Sequence, residues 1–192
     1  ATLDEPQVFE LSSVQKEFFW DDRPTLVFCA GRGSGKTTAA ILRILGMMQR
    51  GEIKRGERIM IAGIDYTQMM DGTIASFDYW LGDVTGLISH KVNGNKPSRT
   101  LSNGVEVLIR SSMNPDQTRS KECRVVLLDE CAKMPLEMFE LANMNLRPTG
   151  IRPKNDTRVH QLLLATTPRG QNWFYRLFGK YILDQDNDDP DV

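Results

Sequence analysis

The stretch Phe28 to Thr38, reading FCAGRGSGKTT, constrains the fold of this chain more than any other. An apolar run, Thr25 to Cys29, enters a turn of small residues, and a lysine and two threonines then lead into the helix-like run AAILRILGMM. In a loop of this kind, small residues let successive backbone N–H groups converge on phosphate oxygens. The lysine reaches the outer phosphates, and the first hydroxyl after it ligates a divalent cation. The pattern gives those roles to Lys36 and Thr37, with Ala30, Gly31, Arg32, Gly33, Ser34, Gly35 and Thr38 completing the cradle. Ala30 stands where the motif has its first glycine, and alanine penalises positive φ. The loop therefore accepts it only if Ala30 keeps a negative φ. A plain Gly/Ser-rich surface turn would require neither the strand before this segment nor the helix after it.

The rest of the chain alternates in the same way. Ser12 or Ser13 is placed to cap a short helix through VQKEFFW, and Pro24 precedes the first strand. The loop helix is expected from Thr37 to Gln49, a second buried strand at RIMIAG (58–63), and a helix from Asp71 to Leu81. Between Leu87 and Arg110 the period becomes β-like, and Asn103-Gly104 between Leu101 and Val105 is a hairpin signal. CRVVLLDEC reads as a strand, PLEMFELANMNL as a helix with Pro135 in its first turn, VHQLLLATT as a strand and QNWFYRLFGKY as a last helix. Apolar strands alternating with helices prescribe an α/β fold, a mostly parallel sheet covered on both faces.

Composition bounds this reading. A chain of 192 residues suffices for one domain with a sizeable core. No apolar run approaches the ~20 residues of a membrane span, and ATLDEPQVFE has neither part of a signal peptide, so a cytosolic protein is expected. Cys29, Cys123 and Cys131 lack CxxC spacing and read as reduced, mostly buried side chains. Asp184, Asp186, Asp188, Asp189 and Asp191 concentrate acid in the last residues and leave the body mildly basic. Residues 1–183 are expected to form the domain and 184–192 an acidic tail or linker.

The second chemical signal is VVLLDEC, 125–131. Four apolar residues run into Asp129, which would hold the Mg²⁺ shell, and Glu130, which would orient and polarise an attacking water. Two adjacent carboxylates at the end of a buried strand need a cation or hydrogen bonds to compensate them. The third is LLLATTP, 162–168, whose Thr166 and Thr167 carry hydroxyls that can bond the water or the γ-phosphate. Phosphate loop, acidic strand end and polar strand end, in that order, form the layout of ATPases with an extra strand between the two motif strands.

AGRGSGKTT, SSMNPDQTRSKECRVVLLDEC and LLLATTP, in this order and at this spacing, resemble the ATPase domain of the large terminase subunit. That family's motor packages DNA into the capsids of tailed phages and related viruses, and the resemblance covers roughly residues 10 to 180. It implies a three-layer P-loop NTPase with a mostly parallel central sheet, of the RecA-like, additional-strand, catalytic-glutamate type, carrying a β-hairpin insertion. It implies ATP and Mg²⁺ as cofactors and double-stranded DNA as a partner. Self-association into a ring on a portal, a small terminase subunit and the host cytoplasm follow from it too, with no membrane.

Several residue roles rest on the resemblance. Arg32 matches the family's loop variant, where the arginine is expected at the γ-phosphate. Arg119, shortly before the acidic strand, matches an arginine that acts on a neighbouring subunit's nucleotide, with Ser120 in place of the usual glycine and Arg124 as a nearby competitor. Gln15, with Phe18 and Phe19, is similar to the adenine-binding segment. His90, Lys91, Lys96 and Arg99, near the hairpin, are candidates for DNA phosphates, and Met113, Met134, Met138 and Met144 for core or interface filler. No nuclease activity is expected of this stretch. Two other readings stay open: a P-loop kinase of a small molecule, and a nucleotide-dependent assembly switch that hydrolyses negligibly.

Overall fold

The computed structural model describes residues 10–147 and 156–184. The acidic tail from 185 onward, and the linker role expected of it, lie outside the described residues.

Seven strands, β1 (Thr25–Cys29), β2 (Arg58–Gly63), β3 (Ile88–Val92), β4 (Ser98–Leu101), β5 (Glu106–Ser111), β6 (Val125–Asp129) and β7 (Gln161–Thr166), form one sheet in the order β1-β7-β6-β2-β5-β4-β3. The first five of that order pair in parallel. β4 and β3 add antiparallel at the far side. β7 thus lies between the phosphate-loop strand β1 and the acidic strand β6, the extra-strand arrangement that the motif order implies.

The parallel strands are apolar through their centres, with polar residues only toward their ends, because both sheet faces are covered. Ile59, Ile61, Val125, Leu127, Leu163 and Ala165 pack on one side with Ile41 and Ile44 of α2 (Lys36–Gln49) and Ile74 and Phe77 of α4 (Thr73–Asp78). Met60, Ala62, Val126, Leu128, Leu162 and Leu164 pack on the other with Met138 and Ala142 of α5 (Leu136–Asn145) and Phe174 of α6 (Trp173–Asp184). Alternate residues of one strand therefore serve opposite layers. Every residue of β6 is buried, and at about 1.5–3 kcal/mol for each large apolar side chain this anchors the strand that ends in Asp129.

Local chemistry accounts for most boundaries. Ser12 caps α1 (Ser13–Trp20), and Gln15 closes a reciprocal capping box with it. Asn103 accepts the Val105 N–H at 3.1 Å, and Gly104 at φ +82° turns β4 into β5. The single helix expected over Asp71–Leu81 is divided. α3 (Tyr66–Asp71) stops at Gly72, whose φ −116° and ψ −85° lie outside the helical region, and α4 passes into a π-helical turn at Tyr79–Val84. A glycine inside an apolar period hid this break. The cysteines are free thiols, Cys123 and Cys131 buried and Cys29 partly so. Burial pushes Cys123 up to about 12. Met134 and Met138 are core residues, whereas Met113 and Met144 are exposed and fill no core. Among the described residues no helix is long and apolar enough to cross a membrane.

Candidate functional site

The phosphate loop takes its shape from two of its three glycines. Gly33 and Gly35 sit at φ +77° and +76°, where a side chain is strained. Ala30 is not among the positive-φ residues. The Ala30 N–H instead continues the sheet to the Thr166 carbonyl at 3.2 Å, so the missing motif glycine costs the loop nothing. Ser34 Oγ donates to the Gly31 carbonyl at 2.9 Å, and Lys36 Nζ donates to the same carbonyl at 2.8 Å. Lys36 is nearly buried beneath the loop. Its ammonium rests on a loop carbonyl that a phosphate oxygen, carrying full charge, would outcompete. Arg32 is exposed and, among the described residues, makes no protein hydrogen bond or ion pair.

At the start of α2, Thr37 Oγ1 lies 3.0 and 3.1 Å from the two carboxylate oxygens of Asp129. The phosphate loop and the end of β6 are thereby joined through the two groups that the sequence pattern assigns to a cation. A second hydroxyl, from Thr73 at the start of α4, also donates to Asp129. Asp129 is only 7% exposed, and its burial pushes the carboxyl above its ordinary range, against the pull of the Thr73 and Thr37 hydrogen bonds. A buried carboxylate held by hydroxyls, with no cation paired to it among the described residues, suits a small divalent ion that takes few protein ligands. Thr37 and Asp129 would hold Mg²⁺, and the ion would supply charge neutralisation of phosphate oxygens there.

Glu130 follows in a left-handed conformation, φ +58° and ψ +38°. This turns the chain sharply off the strand and stores strain at the residue expected to work on water. Its Oε2 is covered and makes no directional hydrogen bond, although Lys133 Nζ stands 3.0 Å away. Asp129, Glu130 and Lys133, with Arg32, Thr37, Thr38, Gly63, Ile64, Gln68, Met69, Gly72, Thr73 and Ser76, line a cavity of 480 Å³. Loop, acidic strand end and α4 face one another across it.

Other expected residues stand elsewhere. Thr166 is fully buried. Its Oγ1 accepts the Ala132 N–H at 3.1 Å and donates to the Thr167 carbonyl at 3.3 Å, so it ties the turn after Glu130 to β7. Neither Thr166 nor Thr167 forms part of the cavity wall. Gln15 does lie against the phosphate loop, but both ends of its amide are engaged, Oε1 with the Ser12 N–H at 3.0 Å and Nε2 with the Ser34 carbonyl at 3.4 Å. Phe18 is buried against Phe28, ring centres 5.4 Å apart, and Phe19 stacks under the Arg50 guanidinium at 5.7 Å. These rings pack α1; they form no open stacking platform.

Arg119 lies outside this cavity. Its Nε donates to Asp116 at 2.6 Å and its Nη2 to Glu137 at 2.9 Å, all three side chains being exposed. Ser120 keeps the left-handed conformation, φ +57°, that a glycine would take more easily. The competitor Arg124 is buried and donates to the Glu52 and Arg158 carbonyls, a structural role. Arg99 must be removed from the DNA candidates. It is 1% exposed and forks onto Asp78 at 2.8 and 3.1 Å, because β4 turns that side chain inward while His90, Lys91 and Lys96 stay exposed.

Sequence reasoning missed Thr73 and Lys133. Thr73 lies 56 residues from Asp129 in sequence, and no local pattern marks it. Lys133 had a weak signal, since an acid and a lysine at i, i+3 come close in any helical turn.

No family model and no curated protein matches the sequence. The fold, in contrast, is shared with solved structures. The ATPase domain of the large terminase of Thermus phage P74-26 superposes with a TM-score of 0.63 at 21% identity, over 88% of this chain and 70% of that one. The large terminase of a second thermophilic bacteriophage gives 0.68 at 14% identity, over 93% and 44%, and its structures include complexes with ADP and ATP-gamma-S. The large terminase of bacteriophage HK97 gives 0.67 at 14%, over 94% and 38%. The chain thus spans less than half the length of the last two proteins, and it shares the fold of the P74-26 ATPase domain, an α/β P-loop fold with a seven-stranded, mostly parallel sheet.

Proposed function

We propose, from that shared fold, that this chain is the ATP-hydrolysing motor domain of a large terminase, driving double-stranded DNA into a procapsid. The observation that carries the proposal is the joining of Thr37 and Asp129 across 3.0 Å at the foot of the phosphate loop, with Glu130 next in the chain and on the same cavity. A site for binding alone has no need of a second carboxylate there; hydrolysis does, because water must be oriented and relieved of a proton.

In this reading the loop N–H groups and Lys36 hold the polyphosphate, and Arg32 meets the γ-phosphate from the cavity rim. Glu130 accepts the proton of the attacking water once Lys133 yields its Oε2. Thr166 fixes the turn that aims Glu130. Gln15 turns from Ser34 to adenine when nucleotide arrives. Arg119 completes the site of an adjacent copy in a ring on a portal, in the host cytoplasm, with the small subunit delivering DNA. Arg119 is not among the residues that line the cavity of its own chain, as a role in trans requires.

A mixing experiment tests this. Glu130→Gln protein supplies an intact Arg119, and Arg119→Ala protein supplies an intact Glu130. Combined at concentrations that assemble rings, they should recover turnover that neither shows alone; no recovery in assembled rings would remove Arg119 from the mechanism. The Glu130–Lys133 pair favours one rival, a nucleotide switch that never frees its glutamate. That rival predicts that Lys133→Ala raises turnover above wild type even in assembled rings.

A further inference from the structure

Beneath the turn that carries Arg119 lies a second cavity, of 220 Å³, lined by Lys96, Arg110, Asp116, Gln117, Arg119 and Lys121. Four cations thus share one carboxylate, and that carboxylate, Asp116, is already engaged by Arg119. The unusual member is Arg110, at the end of β5. It is 5% exposed, its Nε donates to the Gln117 carbonyl at 3.3 Å and its Nη1 to the Ile109 carbonyl at 2.7 Å. Among the described residues no carboxylate pairs with it, and its Nη2, which bonds no described residue, is open to solvent. A recessed guanidinium with one open edge is completed by water, which the full charge of an anion can displace.

We propose that this cavity seats one backbone phosphate of the translocated DNA, with Arg110 as the recessed anchor and Lys96 and Lys121 as its rim. The identity of the partner rests on the motor reading above; the anion site rests on the cavity. A guanidinium edge matches two phosphate oxygens of one group, and such contacts position a duplex without reading its sequence. The recess selects the source. A backbone phosphate projects from a duplex and can enter a recess, whereas in the motor reading a neighbour's nucleotide is met by Arg119 reaching outward and does not itself enter the cavity.

The test is fluorescence anisotropy of a labelled duplex of about 20 base pairs over a salt series, using the chain described here. Arg110→Gln should weaken binding about tenfold and lower the magnitude of the logarithmic salt slope by about one. Lys121→Gln, at the rim, should lower it likewise with a smaller loss of affinity, and keeps the test available if Arg110→Gln does not fold. Lys180→Gln removes the same charge from exposed α6 and should bind as wild type. Wild-type binding with an unchanged slope in both cavity variants overturns the site and leaves the motor reading intact. No binding by wild type overturns the motor reading itself. Unchanged DNA binding with a loss of concentration-dependent ATP turnover in Arg110→Gln would assign the cavity to a neighbour's nucleotide, against this proposal.

Discussion

The two charged regions of this domain are built on opposite principles. At the candidate phosphate cavity Asp129 stands at the end of a fully buried strand and is held by short bonds from two helix starts, Thr37 and Thr73. At the Arg119 turn the working group is an exposed side chain on a short helical turn, held by two exposed carboxylates and followed by a left-handed serine. The first region is rigid because the sheet requires it. The second can release its arginine at little cost, since exposed ion pairs contribute little net stability. A residue that must reach a partner belongs on the second kind of support, and one that must hold a cation to a fraction of an ångström belongs on the first.

Substitutions can break this contrast. The largest effect on stability is expected at Arg99, which links the hairpin to α4 through Asp78. Arg99→Ala leaves the mostly buried Asp78 with Lys91 as its remaining cation, at 3.1 Å, and should cost about 2–3 kcal/mol in denaturant unfolding. Thr73→Val removes one hydroxyl from Asp129 and should lower kcat about tenfold, the scale of a hydrogen bond to a charged group. Thr73→Ser should restore it, and an unchanged kcat in Thr73→Val would make the contact incidental. Ser120→Gly relieves the left-handed conformation and should stabilise the fold by up to about 1 kcal/mol in the same unfolding experiment. Arg119→Ala should leave the unfolding midpoint where it is while removing activation of a neighbour; a clear loss of stability would mean that the turn is structural.

The same contrast explains what the sequence could reveal. The phosphate loop, the acidic strand end and the extra strand were legible because their residues are contiguous and their strands, buried on both faces, are apolar through their centres. Ala30 was a legible concern that geometry resolves, since it does not take a positive φ and its N–H bonds the Thr166 carbonyl of β7. Thr73 was illegible because its partner is brought to it only by the sheet and the Gly72 break. Arg99 was misread for a physical reason: along a hairpin strand the side chains alternate, and composition does not say which face a given arginine takes. Thr166 was legible as a polar strand end, but its bond to the Ala132 N–H depends on a turn that no local pattern specifies.

The central claim, that Glu130 acts on water at a site that binds ATP independently of it, is most directly tested by Glu130→Gln. Nucleotide affinity should stay near that of wild type while ATP turnover in assembled protein falls by about 10²–10⁴, the contribution of a positioned general base. Wild-type turnover in Glu130→Gln would contradict it.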